Sequence, residues 1–314
     1  MYVSVDIGGT QIRVALVDDQ FQILSKKSST TGFDSDPKIV CDNMTHMIQS
    51  LSSESGFREI LGVGVSAPTV SNETGILVNP PNLPNWNGFS VTDFITNNFD
   101  IPVIAANDAS LAALGESRCG AGVGVNNMLY YTLSTGVGGG IIVGGKLYEG
   151  TAGFAGELGH ISVNHMGLIC NCGNRGCLEA YASGPAIARA GRRAVEMGKA
   201  TCLSAKKNIT TKDIFDGSDA GDSACEEIVK EAGKYLAIGI TSAMHMFAPE
   251  RIVIGGGVSA GFGQMAPRIN EHISKHAMAH FSGKMDIRLS ELGDDSSLIG
   301  AACHLKDTYF AVMA

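Results

Sequence analysis

In residues 3–17, VSVDIGGTQIRVALV, the apolar Val3, Val5 and Ile7 alternate with Ser4 and Asp6. After Gly8-Gly9-Thr10 the alternation resumes at Ile12, Val14 and Leu16. A period of two broken by a glycine turn predicts a β-hairpin. Over 37–51 the pattern changes: Val40, Met44, Met47, Ile48 and Leu51 share one face of a helix. Residues 60–65 read as a strand, followed by a Pro/Asn-rich loop over 67–88 with NPPNLPNWNG at its centre. Ser90 and Asp93 have the spacing of a capping box for a helix running through Phe94. A short strand over 101–106 then leads to Asp108, which opens a helix over 109–118.

Glycines at Gly120, Gly122 and Gly124 suggest a boundary. Beyond them come a strand over 128–134, a glycine turn over 135–140 and a returning strand over 141–143, so the N-terminal pattern recurs. Helices are expected over 185–197 and 222–247, with a buried strand over 251–254 ending in Gly255-Gly256-Gly257. A helix from about Gln264, a strand over 286–292 and a helix from Ser297 close the chain. Hairpins mixed with crossover helices imply an α/β fold with helix-covered sheets. The recurrence implies two similar halves with a cleft between them. The expected division is an N-terminal domain of residues 1–119, joined by the last helix 297–314, and a larger domain of 120–296.

Composition narrows the function. With 314 residues and 44% hydrophobic content the chain can bury two cores. A net charge of −8 and a pI near 5.5 argue against nucleic-acid binding, which needs a clustered basic surface. The start of the chain lacks the basic and apolar regions of a secretion signal, and no apolar run reaches bilayer length, so a cytoplasmic protein without a membrane partner is expected. Eight cysteines with one compact cluster fit a reducing compartment better than a disulfide scaffold.

That cluster lies in GELGHISVNHMGLICNCGNRGCLE, residues 156–179. Cys170, Cys172 and Cys177, with His160 upstream, have the ligand types and spacing of a closed tetrahedral zinc site. The plainer alternative is three reduced thiols and a surface histidine in a loop. Glycine turns supply a second signal. Gly8-Gly9-Thr10, residues 135–140 and Gly255-Gly256-Gly257 each follow an apolar strand, and backbone N–H groups there can cradle phosphate oxygens beside the Thr10 and Thr135 hydroxyls. A plain turn is the competing reading for any one of them. Neither a Walker A motif nor a dinucleotide fingerprint is present. Asp6, just before the first turn, suits magnesium held through water, and a nucleoside triphosphate with Mg2+ is the ligand these residues favour.

Taken together, DIGGT at 6–10, NLPNW at 82–86, STGVGGG at 134–140 and GELGH…CNCGNRGCLEAYASG over 156–184 resemble the ROK family (repressor, open reading frame, kinase) of sugar kinases. IVIGGGVS at 252–259 resembles that family's adenosine-contacting turn, and the likeness runs along essentially the whole chain. The resemblance implies two actin-like (ribonuclease H-like) α/β domains with a cleft and a structural zinc loop. It also implies an ATP- and Mg2+-dependent kinase, most simply a glucokinase, phosphorylating the 6-hydroxyl of a hexose.

The same resemblance implies roles for single residues. Asp108 is the catalytic base, although the residues alone, with Asp108 opening a helix, favour an N-cap. Asn82, Asn107, Asp108, Glu157, His160 and Glu179 contact the sugar, Asn82 having the plain alternative of satisfying its own loop. Asp6, Gly8, Gly9, Thr10, Thr135, Gly136, Gly138, Gly256 and Gly257 face the nucleotide. His160, Cys170, Cys172 and Cys177 hold Zn2+, with the second nitrogen of His160 left for a hydroxyl. Pro68-Thr69 replaces the family's usual Pro-Gly, Gln11 its usual Lys, and Ser134 a frequent Gly, so the preferred sugar is open. N-acetylmannosamine or N-acetylglucosamine kinase is the near alternative, and a sugar-responsive regulator the distant one. Trp86 either anchors its loop or stacks on a sugar ring. Family members with this loop imply a homodimer or homotetramer.

Overall fold

The structure, a computed structural model, describes residues 1–54, 59–281 and 285–310. Its first sheet is built from β1 (Tyr2–Ile7), β2 (Gln11–Val17), β3 (Ile23–Thr30), β4 (Gly62–Ala67) and β5 (Val103–Asn107), in the order β3-β2-β1-β4-β5. The hairpin β1–β2 is antiparallel, as the alternation predicts, whereas β4 and β5 add in parallel. Parallel neighbours need crossover connections. Helices α1 (Pro37–Glu54) and α2 (Val91–Asn98) lie in those crossovers, and α3 (Asp108–Cys119) follows β5 directly.

β1 is buried on both faces, polar positions included. Val3, Val5 and Ile7 pack with Val40, Met44, Ile48 and Leu51 of α1 in one cluster. The opposite face is covered by the last helix, α9 (Ser296–Tyr309), through Leu298, Ala302 and Leu305 against Tyr2, Ala15 and Val17. That is why Ser4 and Asp6, polar in the pattern, are buried too. α9 packs against α3 at backbone distance. A Cβ at Gly300 would stand 1.8 Å from the Leu111 carbonyl oxygen, and one at Gly115 2.2 Å from that of Ser296. Gly300→Ala therefore forces the helices apart. It is expected to cost at least about 1–3 kcal/mol, read as a lower denaturant midpoint with unchanged m-value.

The second sheet repeats the first. β6 (Met128–Leu133), β7 (Val137–Val143), β8 (Lys146–Leu147), β9 (Arg251–Gly255) and β10 (Asp286–Leu289) are ordered β10-β9-β6-β7-β8. Read from the other edge, this is the arrangement of the first sheet with each strand replaced by its counterpart. α4 (Glu179–Ala182), α5 (Gly184–Glu196), α6 (Thr211–Asp219), α7 (Ser223–Phe247) and α8 (Phe262–His276) complete the second half. Two mixed sheets of equal topology give the α/β architecture expected from the recurring pattern.

By density of internal packing the chain divides into Met1–Asn126 with Gly140–Gly156 and Ser290–Ala314, and Asn127–Gly139 with Glu157–Leu289. Beside the division 1–119 with 297–314 and 120–296, the main difference is that residues 140–156 group with the first unit. Gly140 lies against α3, where a Cβ would come within 2.4 Å of Ala113 Cβ, and so residues 140–156 return to the first unit. The expected turn over 135–140 is also shorter, because pairing begins at Val137.

Candidate functional site

In the first unit the sequence candidates gather at the C-terminal ends of β1 and β5. Gly8 N–H donates to the Gln11 carbonyl at 3.0 Å and closes the hairpin turn. Asp6 pairs across the hairpin with Arg13, whose Nη2 and Nε donate to Oδ2 at 2.7 and 3.2 Å. Its Oδ1 accepts from the hydroxyls of Ser66 at 2.6 Å and Ser297 at 3.0 Å. A carboxylate engaged by one guanidinium and two hydroxyls fits an outer-sphere magnesium contact, through the ion's water, better than direct ligation. Asn82 packs on the turn itself: a Cβ at Gly9 would stand 2.6 Å from Asn82 Cβ. Trp86 is wholly buried, with Nε1 donating to Ser35 Oγ at 3.3 Å and an edge-on contact to Phe89. It anchors its loop.

At the end of β5, the cap of α3 is Asn107 and not Asp108. Asn107 Oδ1 accepts from the amides of Ala109 at 3.0 Å and Ser110 at 3.2 Å. Two adjacent cap-forming residues leave the sequence unable to choose between them. With Asn107 in that position, Asp108 becomes the first helical residue, exposed, with Oδ1 2.8 Å from the Ala109 amide. At a helix N-terminus the backbone dipoles favour a negative charge such as this carboxylate. At the far end of α3, buried Glu116 accepts from Ala121, Glu291 and Leu292 amides and from Ser290 Oγ. The sequence reading passed over this residue, and it ties the segment before α9 to α3.

The cysteine loop lies in the second unit. Cys170, Cys172, Cys177 and His160 present ligand atoms all within 4.8 Å of one another. Cys170 Sγ is 3.7 Å from His160 Nδ1, and Cys172 Sγ is 3.7 Å from Cys177 Sγ. For Zn–S bonds of ~2.3 Å the edge of a tetrahedron is ~3.7 Å, and these two separations match it. Burial pushes the Cys170 thiol up to about 12 and raises Cys177. At Cys172 burial is outweighed by hydrogen bonds from the Asn174 backbone and the two neighbouring thiols, and its pKa falls. Three crowded thiols of this kind do not all ionise without a cation among them.

Two acids flank the cluster, and they differ. Glu157 is exposed, its Oε2 3.7 Å from His160 Nε2, so the imidazole spans from the cysteines to this carboxylate. Glu179 is half-buried and turned inward: Oε2 accepts from Val137 N–H at 3.0 Å and Oε1 lies 3.7 Å from Cys170 Sγ. A Cβ at Gly136 would stand 2.5 Å from Oε2, so that glycine admits the carboxylate to the turn. Glu179 thus couples the cysteine loop to the glycine turn after β6. Removing it leaves the Val137 amide without its acceptor. Glu179→Ala is expected to lower the melting temperature and loosen metal retention together, measured by thermal denaturation and metal content on one preparation.

A cavity of about 680 Å3 opens beside that turn, lined among others by Ser134, Thr135, Gly184, Phe215, Gly257 and Val258. Its volume is that of a small-molecule site, and the N-terminus of α5 at Gly184, capped by Ser183, borders it. Of the glycine-turn candidates, Thr135 and Gly257 line it, whereas Gly136, Gly138 and Gly256 do not. Gly256 holds φ at +82° and turns the chain out of β9. The α6 wall was missed. The Thr210–Asp213 capping box was the available signal for that helix, but nothing in the sequence tells that it faces a cavity.

The sequence profile of the ROK family matches residues 2–308. The chain belongs to the ROK family. Among its relatives, a glucokinase of Halalkalibacterium halodurans is 35% identical over 97% of this chain and 94% of that protein. An N-acetylmannosamine kinase of Escherichia coli is 29% identical over 95% of this chain and 96% of its own length. Xylose repressors also occur among the ROK relatives. The crystal structure of a ROK glucokinase from Streptomyces griseus, in complex with glucose and AMPPNP, superimposes with a TM-score of 0.79 at 31% identity. It covers 98% of this chain and 99% of that one.

Proposed function

We propose that this ROK protein is an ATP-dependent sugar kinase of the glucokinase type, moving the γ-phosphoryl group of ATP to the 6-hydroxyl of a hexose. The observation that carries the reading is the division of labour at the start of α3, where Asn107 caps the helix and Asp108 is exposed at its first turn. Glucokinase relatives spanning nearly the full length of both chains support it.

In this reading Asp108 accepts the proton of the attacking hydroxyl, and the hydroxyl oxygen displaces ADP from the γ-phosphorus in line. Asn107, whose Oδ1 is committed to the cap, contributes its amide nitrogen to the sugar, and Asn82 contributes from the loop on Gly9. In the second unit Glu157 accepts sugar hydroxyls, and the His160 Nε2–H donates. Glu179, engaged with Val137, acts on the sugar through the loop it steadies and has one carboxylate oxygen left to share. The cavity of about 680 Å3 receives the adenosine moiety, with Thr135 and Gly257 on its wall. Residues 8–10 approach the phosphates.

Magnesium, when bound, neutralises charge on the phosphates, and Asp6 orders water around it. The four donors of the cysteine loop fit zinc as a brace with no coordination position left for substrate. Exposed Met166, Leu168 and Ile169 on that loop are consistent with a homodimer or homotetramer. No described helix is long and apolar enough to cross a membrane, which suits a cytoplasmic enzyme.

N-acetylmannosamine is the second substrate to try, given the Escherichia coli relative. An ADP-release assay with ATP and Mg2+ over glucose, mannose, fructose, glucosamine and both N-acetylhexosamines tests the reading. Glucose is expected to give the highest kcat/KM. Preference for an N-acetylhexosamine shifts the substrate, and no turnover with any sugar overturns the kinase reading.

A further inference from the structure

Two cysteines outside the proposed chemistry, Cys202 and Cys225, are distant in sequence and adjacent in space. Cys202 opens a short turn, Cys202–Ala205, and Cys225 lies in the first turn of α7. One carboxylate clamps both. Asp222 caps α7 with Oδ1 accepting from the Ala224 and Cys225 amides at 3.0 and 3.1 Å. Its Oδ2 accepts from the Cys202 amide at 2.6 Å and the Thr201 hydroxyl at 2.8 Å. Against the cost of burial, the amides of Cys202 and Cys225 hold the Asp222 carboxyl well below the usual carboxylate range. The clamp therefore persists across the physiological pH range.

As a result the two sulfurs and the carboxylate lie within 4.8 Å of one another. Both sulfurs press on Gly217 of α6, where a Cβ would stand 2.7 Å from Cys225 Sγ and 3.0 Å from Cys202 Sγ. Cys202 is exposed and Cys225 buried. A metal is a poor occupant. The carboxylate is already filled by hydrogen bonds, which leaves two thiols where a closed zinc site takes four ligands. A disulfide needs only the two sulfurs, which already lie within 4.8 Å of each other.

We propose that Cys202 and Cys225 form a reversible dithiol–disulfide pair, oxidised by exchange with a low-molecular-weight disulfide, RSSR. The exposed Cys202 thiolate attacks one sulfur of RSSR, a mixed disulfide forms, and RS− leaves to be protonated. Cys225 then loses its proton to solvent and attacks the Cys202 sulfur, the Cys202–SR bond breaks, and a second RSH is released. Two protein thiols and RSSR become one protein disulfide and two RSH. Burial pushes the Cys225 thiol up to about 12, which makes Cys202 the attacking sulfur and Cys225 the resolving one. The bond closes a loop from 202 to 225 that contains all of α6, including Lys212, Phe215 and Asp216 on the wall of the cavity described above. Closing it restricts the unfolded chain and steadies that wall, whatever the cavity binds.

The full-length protein with its metal retained is equilibrated with graded ratios of reduced to oxidised glutathione, quenched in acid, alkylated and digested. The wild type is expected to yield a peptide pair joined through Cys202 and Cys225, reversed by reductant and absent in Cys202→Ser. Cys225→Ser should instead accumulate glutathione on Cys202. Oxidised wild type should melt above the reduced form, and Cys202→Ser should show no such difference. Wild type that stops at glutathione on Cys202, or that links either cysteine to the 170–177 loop, overturns the proposal. Because Cys202 is exposed, its serine variant keeps the test decisive even if Cys225→Ser does not fold.

Discussion

Asp108→Asn is expected to lower kcat by roughly 10^2- to 10^4-fold while sugar and nucleotide bind with near-normal affinity. The substitution keeps the size of the side chain and its hydrogen bond to the Ala109 amide. It removes the ability to take a proton. The cap stays with Asn107, so α3 and the sheet behind it have no reason to shift. If Asp108 acted only as the cap, the same change would leave both stability and catalysis nearly unchanged, since Asn is as good a cap as Asp. Pre-steady-state turnover, glucose binding by calorimetry and thermal melting on one preparation separate the outcomes. Near-normal kcat removes Asp108 from the role of base.

The second large effect concerns the cysteine loop. Metal analysis is expected to find about one zinc per chain, and Cys172→Ser is expected to release it. The loss costs on the order of 4 kcal/mol or more, because metal sites in loops supply the order that packing does not. Cys172 is exposed, so removing its sulfur leaves no cavity in the core, and an effect of this size points to the ion. KM for sugar should rise far more than KM for ATP, since Glu157 and His160 sit on this loop and the cavity proposed for adenosine is walled mainly by α5, α6 and the turn after β9. Fully active protein without zinc contradicts the brace.

The hairpin β1–β2, the helix α1 and the cysteine loop were legible in the sequence because each rests on local periodicity or close spacing. β3 was not. Its residues, ILSKKSST, carry two adjacent lysines and little apolar pattern, as an edge strand does, and it owes its strand form to pairing with β2. The short polar α6 went unread for a similar reason, although Thr210 and Asp213 mark its start. At the candidate site, residue types pointed to the ends of β1 and β5 and to the cysteine loop. What they could not tell was direction: Glu179 and Glu157 look alike in sequence, yet one turns inward to Val137 and the other outward. Gly136 and Gly256 looked like phosphate turns, but the first makes room for Glu179 and the second shapes the exit from β9. Such distinctions arise from segments far apart in the chain meeting, which no local pattern encodes.

The most direct measurement is the identity of the phosphorylated product. The protein is incubated with glucose, ATP and Mg2+, and the product is followed by phosphorus NMR with proton coupling retained. The proposed function predicts one phosphomonoester whose phosphorus couples to the two protons of the sugar's primary carbon, growing as ADP appears and absent with Asp108→Asn. An ester on the anomeric oxygen, or ATP left unconsumed, contradicts it.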